Sequence, residues 1–339
     1  MHPAKEAYFY EKLDSEKVRC HLCHHNCVIS DGKRGRCHVR ENQKGTLYSL
    51  VYQRLISANV DPIEKKPLFH FLPGSRAFSI ATVGCNFRCL QCQNHEISQI
   101  PINKTTMAGE HVTPEQIVSL AHRYDCASIA YTYTEPTIFF EYAYDTAKIA
   151  TQNGIRNTFV TNGYMTKECL EMVRPYLHGA NVDLKSFSDE FYKNVCGATL
   201  KPVMENIENM KAMGIWVEVT TLIIPTLNDS EQELRKIAQY ILSVSAEIPW
   251  HVSAFYPTHK MRDKPATPPS SIQRAREIGL AEGLRYVYCG NVPGNEGENT
   301  YCHHCKKILI RRWRYEIREN RIDDSKCAIC GTSIDGIWT

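Results

Sequence analysis

No run of this sequence is apolar for anything near the ~20 residues that a membrane-spanning helix needs, so no transmembrane helix is expected. The N-terminus, Met1-His2-Pro3-Ala4-Lys5-Glu6-Ala7-Tyr8, lacks the apolar core of a secretion signal, which predicts a cytoplasmic protein. Net charge is only +3 over 339 residues, too weak to imply nucleic acid or an anionic membrane as partner. Between residue 77 and about 292, no two strand-like runs are joined by a hairpin turn, which argues against an antiparallel sheet there. What the chain has in excess is cysteine, 15 residues. In a reducing compartment these are metal ligands rather than disulfides. Eleven of them fall into three clusters.

The central cluster is Gly84-Cys85-Asn86-Phe87-Arg88-Cys89-Leu90-Gln91-Cys92-Gln93-Asn94, with cysteines at C-x3-C-x2-C. It follows Ala77 to Val83, an apolar β-branched run that reads as a strand. Gly84 ends the strand and permits a close turn. Iron–sulfur clusters are held by Cys thiolates. Three thiolates on a four-iron cube leave one iron free for a small molecule, as an open metal position does elsewhere. Exposed clusters oxidise, so an oxygen-poor, anaerobic setting is expected.

The first cluster is Cys20-x2-Cys23-x3-Cys27-x9-Cys37, with His21, His24, His25 and His38 as spare ligands. A loop so rich in Cys, Gly and His has little apolar content of its own, which favours a second metal centre. Zinc is favoured over iron because the spacing lacks the tight run of ferredoxin-type sites. Thr46 to Tyr52 reads as a strand, and Asp61 to His70 as an extended connector. Strands at 77–83, 128–133, 158–161, 180–184, 216–224 and 250–255 then alternate with helices at 137–152, 166–176, 202–213, 230–245 and 269–282. A further helix start is signalled at Thr113-Pro114-Glu115. This pattern predicts an α/β fold with a parallel sheet of about six units, fewer than the eight of a complete TIM barrel.

Polar residues collect where these strands end: Tyr133-Thr134-Glu135, Asn162, Asp183-Leu184-Lys185 and His251. Parallel barrels place chemistry at that rim. Glu135, Asp183 and Lys185 are the residue types that would hold an amino-acid zwitterion. Residues 294–339 read as a separate module after a polar linker, with Cys302-x2-Cys305 and Cys327-x2-Cys330 as two knuckles of an S4 site. That is a zinc ribbon or a rubredoxin-like iron site. Its arginines (311, 312, 314, 318 and 321) alternate with acids and read as a solvated face. Cys126, Cys169, Cys196 and Cys289 read as buried hydrophobes, Cys196 being the one nearest to a site role.

The C-x3-C-x2-C loop after a strand resembles the radical S-adenosylmethionine (radical SAM) superfamily, although Gln91 stands where an aromatic residue is usual. Cys92-Gln93-Asn94, Glu135-Pro136, Thr161-Asn162-Gly163, Asp183-Leu184-Lys185 and Pro249-Trp250-His251 resemble motifs of its pyruvate formate-lyase activating-enzyme group. Tyr133-Thr134 replace that group's two glycines. Over nearly the whole chain, including the N-terminal Cys set, Asp61 to Gly74 and Gly290-Asn291-Val292, the sequence is most similar to AmmeMemoRadiSam-system enzymes.

The resemblance implies a partial (β/α)6 TIM-type barrel (71–293) between an N-terminal Cys-rich extension (1–70) and the C-terminal ribbon (294–339). It implies a [4Fe–4S] cluster on Cys85, Cys89 and Cys92. It implies SAM contacts from Gln91, Gln93, Asn94, Thr134, Glu135, Asn162, Asp183, Leu184, Lys185 and His251. Reductive cleavage of SAM to a 5′-deoxyadenosyl radical and hydrogen abstraction from an unidentified substrate would follow. Implied partners are a flavodoxin or ferredoxin electron donor and AMMECR1-like and Memo-like proteins. A glycyl-radical activase acting on a protein is one alternative; a zinc-ribbon nucleic-acid-binding protein is another, against which the rim residues argue.

Overall fold

The computed structural model describes residues 5–102 and 106–339; Met1 to Ala4, part of the stretch read for a secretion signal, lie outside the described residues. An eight-stranded sheet runs through it, with strands β1 (Ser57–Pro62), β2 (Arg76–Ala81), β3 (Ser128–Tyr131), β4 (Arg156–Thr161), β5 (Gly179–Asp183), β6 (Trp216–Ile223), β7 (Trp250–Ala254) and β8 (Val287–Gly290). Their order across the sheet is their order in the chain. Strands β2 to β8 are mutually parallel, and β1 lies antiparallel on β2, with Asp61 opposite Ala77.

Each step from β2 to β8 contains a helix: α1 (Pro114–Arg123), α2 (Phe140–Gln152), α3 (Lys167–Val173), α4 (Lys201–Ala212), α5 (Glu231–Val244) and α6 (Pro269–Ala281). Crossovers of this kind are what parallel neighbours require. The strands β3 and β7 are buried along their whole length, the hallmark of a parallel sheet covered on both faces. Helix ends follow local chemistry. Thr113 and Gln116 form a reciprocal capping box at the start of α1, and Ser230 caps α5 through the Glu233 amide. Gly154, with φ +75°, closes α2 in a conformation that side chains disfavour.

Three expectations change. The stretch read as a connector after residue 61 begins inside β1, an edge strand whose side chains are mostly exposed. Its pairing comes from backbone hydrogen bonds rather than an apolar pattern. A seventh parallel strand, β8, follows the six strand–helix pairs. The N-terminal segment is not short of apolar anchors: Val18, Leu22, Ile29, Val39, Leu47 and Val51 are buried and share the main core with the sheet. Small antiparallel sheets carry it, Lys5–Glu6 with Thr46–Ser49 and Arg40–Gln43, and Tyr10–Lys12 with Val18–Cys20 and Val28–Ile29.

The C-terminal residues pair Ile308–Trp313 with Glu316–Asn320 in an antiparallel hairpin. Their core of Cys302, Leu309, Ile310, Cys327 and Ile334 packs directly on Phe69, Tyr286 and Tyr288. The stretch read as a polar linker is anchored: Glu298 and Asn299 are buried, and Asn299 accepts a hydrogen bond from the Arg312 amide. Arg312 itself is buried, not solvated. The other four ribbon arginines are exposed, and Arg311, Arg318 and Arg321 pair with Glu319 or Glu316. Among the described residues no helix is long and apolar enough to cross a membrane.

Candidate active site

The C-terminal ends of the parallel strands surround one cavity of ≈ 960 Å³. Cys85, Cys89 and Cys92 line it from the loop after β2, with Gln91, Gln93 and Asn94 of the same loop. Thr134 and Glu135 come from the loop after β3, Asn162 from just after β4, Asp183 from the last residue of β5 and Lys185 from just beyond it, and His251 from β7. Leu184 does not line it: its side chain is fully buried, and its carbonyl accepts a hydrogen bond from Thr221 Oγ1. All the other rim residues expected from the sequence thus converge on one space, because a parallel sheet ends every strand in the same direction; His251 reaches it from the second residue of β7 instead of from a strand end.

The cysteine loop is fixed tightly. Gly84 has φ +101°, and a Cβ there would stand 2.6 Å from Val39 Cγ1, so only glycine lets the loop approach the N-terminal segment. The Phe87 amide donates to Cys85 Sγ at 3.4 Å, and Cys92 Sγ lies 3.2 Å from Ser98 Oγ. Burial and the Glu135 carboxylate push the Cys85 thiol up. A hydrogen bond from Cys196 holds Cys89 below the ordinary thiol value, and donating it pushes Cys196 up. Cys196 also abuts the cluster loop through its backbone: its carbonyl accepts from the Arg88 amide at 2.8 Å, and that of Val195 from the Leu90 amide at 3.0 Å, so it is not a remote, inert hydrophobe. None of these cysteines forms a disulfide.

Glu135 is 1% exposed. Its carboxylate accepts from Thr137 N and Oγ1, Thr161 Oγ1 and the Asn162 amide at 2.6–3.1 Å, yet burial still raises its pKa. Asp183 and Lys185 face each other at 2.7 Å. This pair presents opposite charges side by side, as a zwitterionic ligand requires.

Several residues that line the cavity or hold its lining were not singled out as site residues in the sequence. Glu218, in the middle of β6, has no exposure and takes His251 Nε2 at 2.6 Å. It also accepts from the amides of Phe69 and His70 and from Trp216 Nε1. A carboxylate in an otherwise uncharged strand was the available clue. Burial acts to raise its pKa, but the hydrogen bond and charge of His251 bring it below the ordinary glutamate value. Lys66, 2% exposed, lines the cavity and pairs with Asp61 at 2.7 Å, with Tyr133 donating to the same Asp61 oxygen. Burial lowers the pKa of Lys66. Tyr133 has φ +62°, a conformation that costs a non-glycine residue roughly 1–2 kcal/mol. Asn94 Nδ2 donates to its carbonyl at 2.8 Å. Phe69 packs on His251 with ring centroids 4.8 Å apart, and Glu298, Arg314 and Tyr315 close the cavity from the C-terminal side.

Because its folded pKa is depressed, Glu218 contributes stability that is present above about pH 4.3 and lost as pH falls through the lower folded value. Glu218→Gln is expected to flatten that part of the acid limb while lowering stability at neutral pH. Melting temperatures of both proteins between neutral and strongly acidic pH check this; parallel curves would show that Glu218 is not the group responsible.

The four ribbon thiols also converge: Cys302 and Cys330 Sγ are 3.7 Å apart, and Cys305 and Cys327 Sγ 3.8 Å. Among the described residues this is the group of metal-ligating side chains whose ligand atoms all lie within 4.8 Å of one another. Those distances match a tetrahedron with metal–sulfur bonds of about 2.3 Å, so this set could bind a metal ion. The thiols of Cys85, Cys89 and Cys92 are more widely spaced, as a multi-iron cluster demands and a single ion does not.

Residues 79–241 match the model of the radical SAM superfamily. An uncharacterized protein of Methanocaldococcus jannaschii is 48% identical over 334 residues, 98% of this chain and 99% of its own. The pyruvate formate-lyase-activating enzyme of Clostridium pasteurianum is 23% identical over 167 residues, 48% of this chain and 67% of that enzyme. Among solved structures, Streptococcus suis SuiB bound to S-adenosylmethionine has a similar fold, with a TM-score of 0.51 at 11% identity, over 68% of this chain and 53% of SuiB. The superfamily implies a [4Fe–4S] cluster and SAM, and three thiols around one cavity that also holds Asp183, Lys185 and Glu135 fit that pair of cofactors. The chain is an enzyme belonging to the radical SAM superfamily, with pyruvate formate-lyase-activating enzymes among its relatives.

Proposed function

We propose that the chain cleaves S-adenosylmethionine reductively and removes a hydrogen atom from a substrate admitted to the ≈ 960 Å³ cavity. The observation that carries this reading is the meeting of Cys85, Cys89 and Cys92 with Asp183, Lys185 and His251 in that one space. When bound, the [4Fe–4S] cluster and SAM supply the one-electron chemistry. The chain's residues do the rest. Cys85, Cys89 and Cys92 hold the cluster. Asp183 and Lys185 offer one charge each to the amino-acid part of SAM, and Glu135, with a lone-pair direction of Oε2 left, adds a carboxylate. Gln91, Gln93, Asn94, Thr134 and Asn162 line the same ligand, whereas Leu184, buried behind Asp183 and Lys185, takes part only through the backbone between them. Glu218 fixes the His251 ring by accepting a hydrogen bond from its Nε2.

The open sheet reads as a partial TIM-type barrel of six strand–helix units (71–293), flanked by the Cys-rich extension (1–70) and a zinc or iron ribbon (294–339). We assign the chain to the AmmeMemoRadiSam-system enzymes. Partners would be a flavodoxin or ferredoxin and AMMECR1-like and Memo-like proteins, in an anaerobic cytoplasm. The similarity to enzymes named for activating pyruvate formate-lyase and isethionate sulfite-lyase favours a protein substrate as the second reading.

The test is anaerobic reconstitution, reduction and addition of SAM. Production of 5′-deoxyadenosine and methionine is expected. An iron-replete, reduced protein that leaves SAM intact would remove the assignment. Deuterium traced from labelled cell extract into deoxyadenosine would then identify the substrate.

A further inference from the structure

Cys20, Cys23, Cys27 and Cys37 line a second, smaller cavity of ≈ 20 Å³ together with Arg40 and Asn86. Cys20 and Cys37 are buried, Cys23 and Cys27 half-buried, and none is in a disulfide. Arg40 is 1% exposed; its Nη2 pairs with Glu141, but its Nε and Nη1 have no hydrogen-bond partner. Asn86, with no exposure, leaves its Nδ2 unpartnered as well. A buried donor left without a partner is destabilising. Orphan donors on residues lining a nest of four thiols suit an anionic, sulfur-rich guest whose sulfurs accept hydrogen bonds.

Spacing decides what that guest is. A single zinc at about 2.3 Å from each sulfur brings the sulfurs to about 3.8 Å, in mutual contact and with no void between them. The ribbon thiols meet that standard at 3.7 and 3.8 Å. No three of Cys20, Cys23, Cys27, Cys37 and His25 have ligand atoms within 4.8 Å of one another, nor do Cys85, Cys89 and Cys92. The N-terminal set therefore resembles the set that the family gives to a cluster, not the one that fits an ion.

The two cysteine sets are neighbours. Asn86 lines the small cavity, while Cys85, the residue before it, lines the large one. Asn86 Oδ1 accepts from Asn162 Nδ2 at 2.7 Å, and its carbonyl accepts from His25 Nε2 at 2.8 Å. A Cβ on Gly84 would stand 3.1 Å from the Cys37 carbonyl, so the missing side chain brings the two loops together. On the outer side, half-buried Cys27 adjoins Val28, 54% exposed.

We propose that Cys20, Cys23, Cys27 and Cys37 hold a second cubane iron–sulfur cluster, not zinc, and that it passes single electrons across Asn86 to the Cys85 loop. The relay, though not the site, rests on the function proposed above. A one-electron donor of the flavodoxin or ferredoxin class loses one electron to the N-terminal cluster, which is reoxidised as the electron moves on to the Cys85-loop cluster. There the electron is consumed in breaking the C5′–S bond of SAM, with methionine as the leaving group.

The site is tested in a chain with Cys85, Cys89 and Cys92 all changed to Ala, reconstituted anaerobically. About four iron and four sulfide per chain and the paramagnetic resonance of a reduced cubane are expected. Zinc alone at the N-terminal set, or no iron, overturns the proposal. Should that variant not fold, wild-type iron decides: about eight per chain supports the second cluster, and about four overturns it. The relay is tested with Cys23→Ala/Cys27→Ala. Reduction of the remaining cluster by flavodoxin, followed by its resonance, should fall to background, while reduction by dithionite stays at the wild-type level. Undiminished reduction by flavodoxin overturns the relay. Failure of wild-type protein to cleave SAM at full iron content would strike the proposed function and leave the iron counts standing.

Discussion

Cys89→Ala protein is expected to lose SAM cleavage to the level of unreconstituted protein, together with the iron of the Cys85 loop. Two thiolates cannot hold a cluster that three support, and Cys89 is the member whose pKa already lies lowest, through Cys196. That contact sets a specific control. Cys196 is buried beside the vacated position, so a buried thiol stands ready to replace the missing one. Cys89→Ala/Cys196→Ala is therefore measured alongside. Residual iron in the single variant that disappears in the double would identify substitution by Cys196. Full cleavage in both variants would refute the assignment of the loop. Iron and sulfide are counted per chain so that the N-terminal set is not mistaken for the barrel set.

Arg312→Met is expected to destabilise the whole protein by about 3–5 kcal/mol, the typical loss when one partner of a buried ion pair is removed. Arg312 and Glu64 side chains have no exposure and lie 3.8 Å apart. The guanidinium also donates to Thr300 Oγ1 and to the Phe69 carbonyl at 2.7 and 2.9 Å, and stacks 4.3 Å over the Phe69 ring. Phe69 in turn touches His251. The substitution leaves Glu64 charged and unpaired, and burial already raises its pKa. Denaturant midpoints of the wild type, Arg312→Met, Glu64→Gln and the double variant form the cycle that isolates the pair. A loss below about 1 kcal/mol would place this pair with ordinary surface pairs. The same reasoning makes truncation after Asn299 damaging to the cavity, since it strips Arg314 and Tyr315 from the wall.

The parallel strands were legible in the sequence because burial on both faces writes itself as apolar runs, as in Ser128 to Tyr131. A helix start was legible where Thr113 places an oxygen over free amides, whereas Ser230, read as the first residue of its helix, is in fact the cap. The cysteine loops were legible because spacing alone constrains metal chemistry. The edge strand at Ser57–Pro62 was not, since an exposed strand held by backbone pairing leaves no periodicity. Nor were Glu218 and Arg312. Each looks like an ordinary charged residue until tertiary packing supplies its partner, 33 residues away for Glu218 and its His251. Cys196 sits in a π-helical turn, Tyr192–Cys196, whose extra residue per turn breaks the spacing on which helical patterns rest.

The attachment of the N-terminal segment sets an order of events during synthesis. Cys23 bridges to Met165, the His24 amide donates to the Tyr164 carbonyl, and Arg40 pairs with Glu141. The first cysteines to leave the ribosome therefore cannot settle until at least residue 165 has followed. At about 5–20 residues per second, that delay is of the order of ten seconds. Throughout it the four thiols are unshielded, open to oxidation and to stray metal ions. A cluster held by these four thiols, as proposed above, would therefore be completed only after the first half of the sheet has been translated.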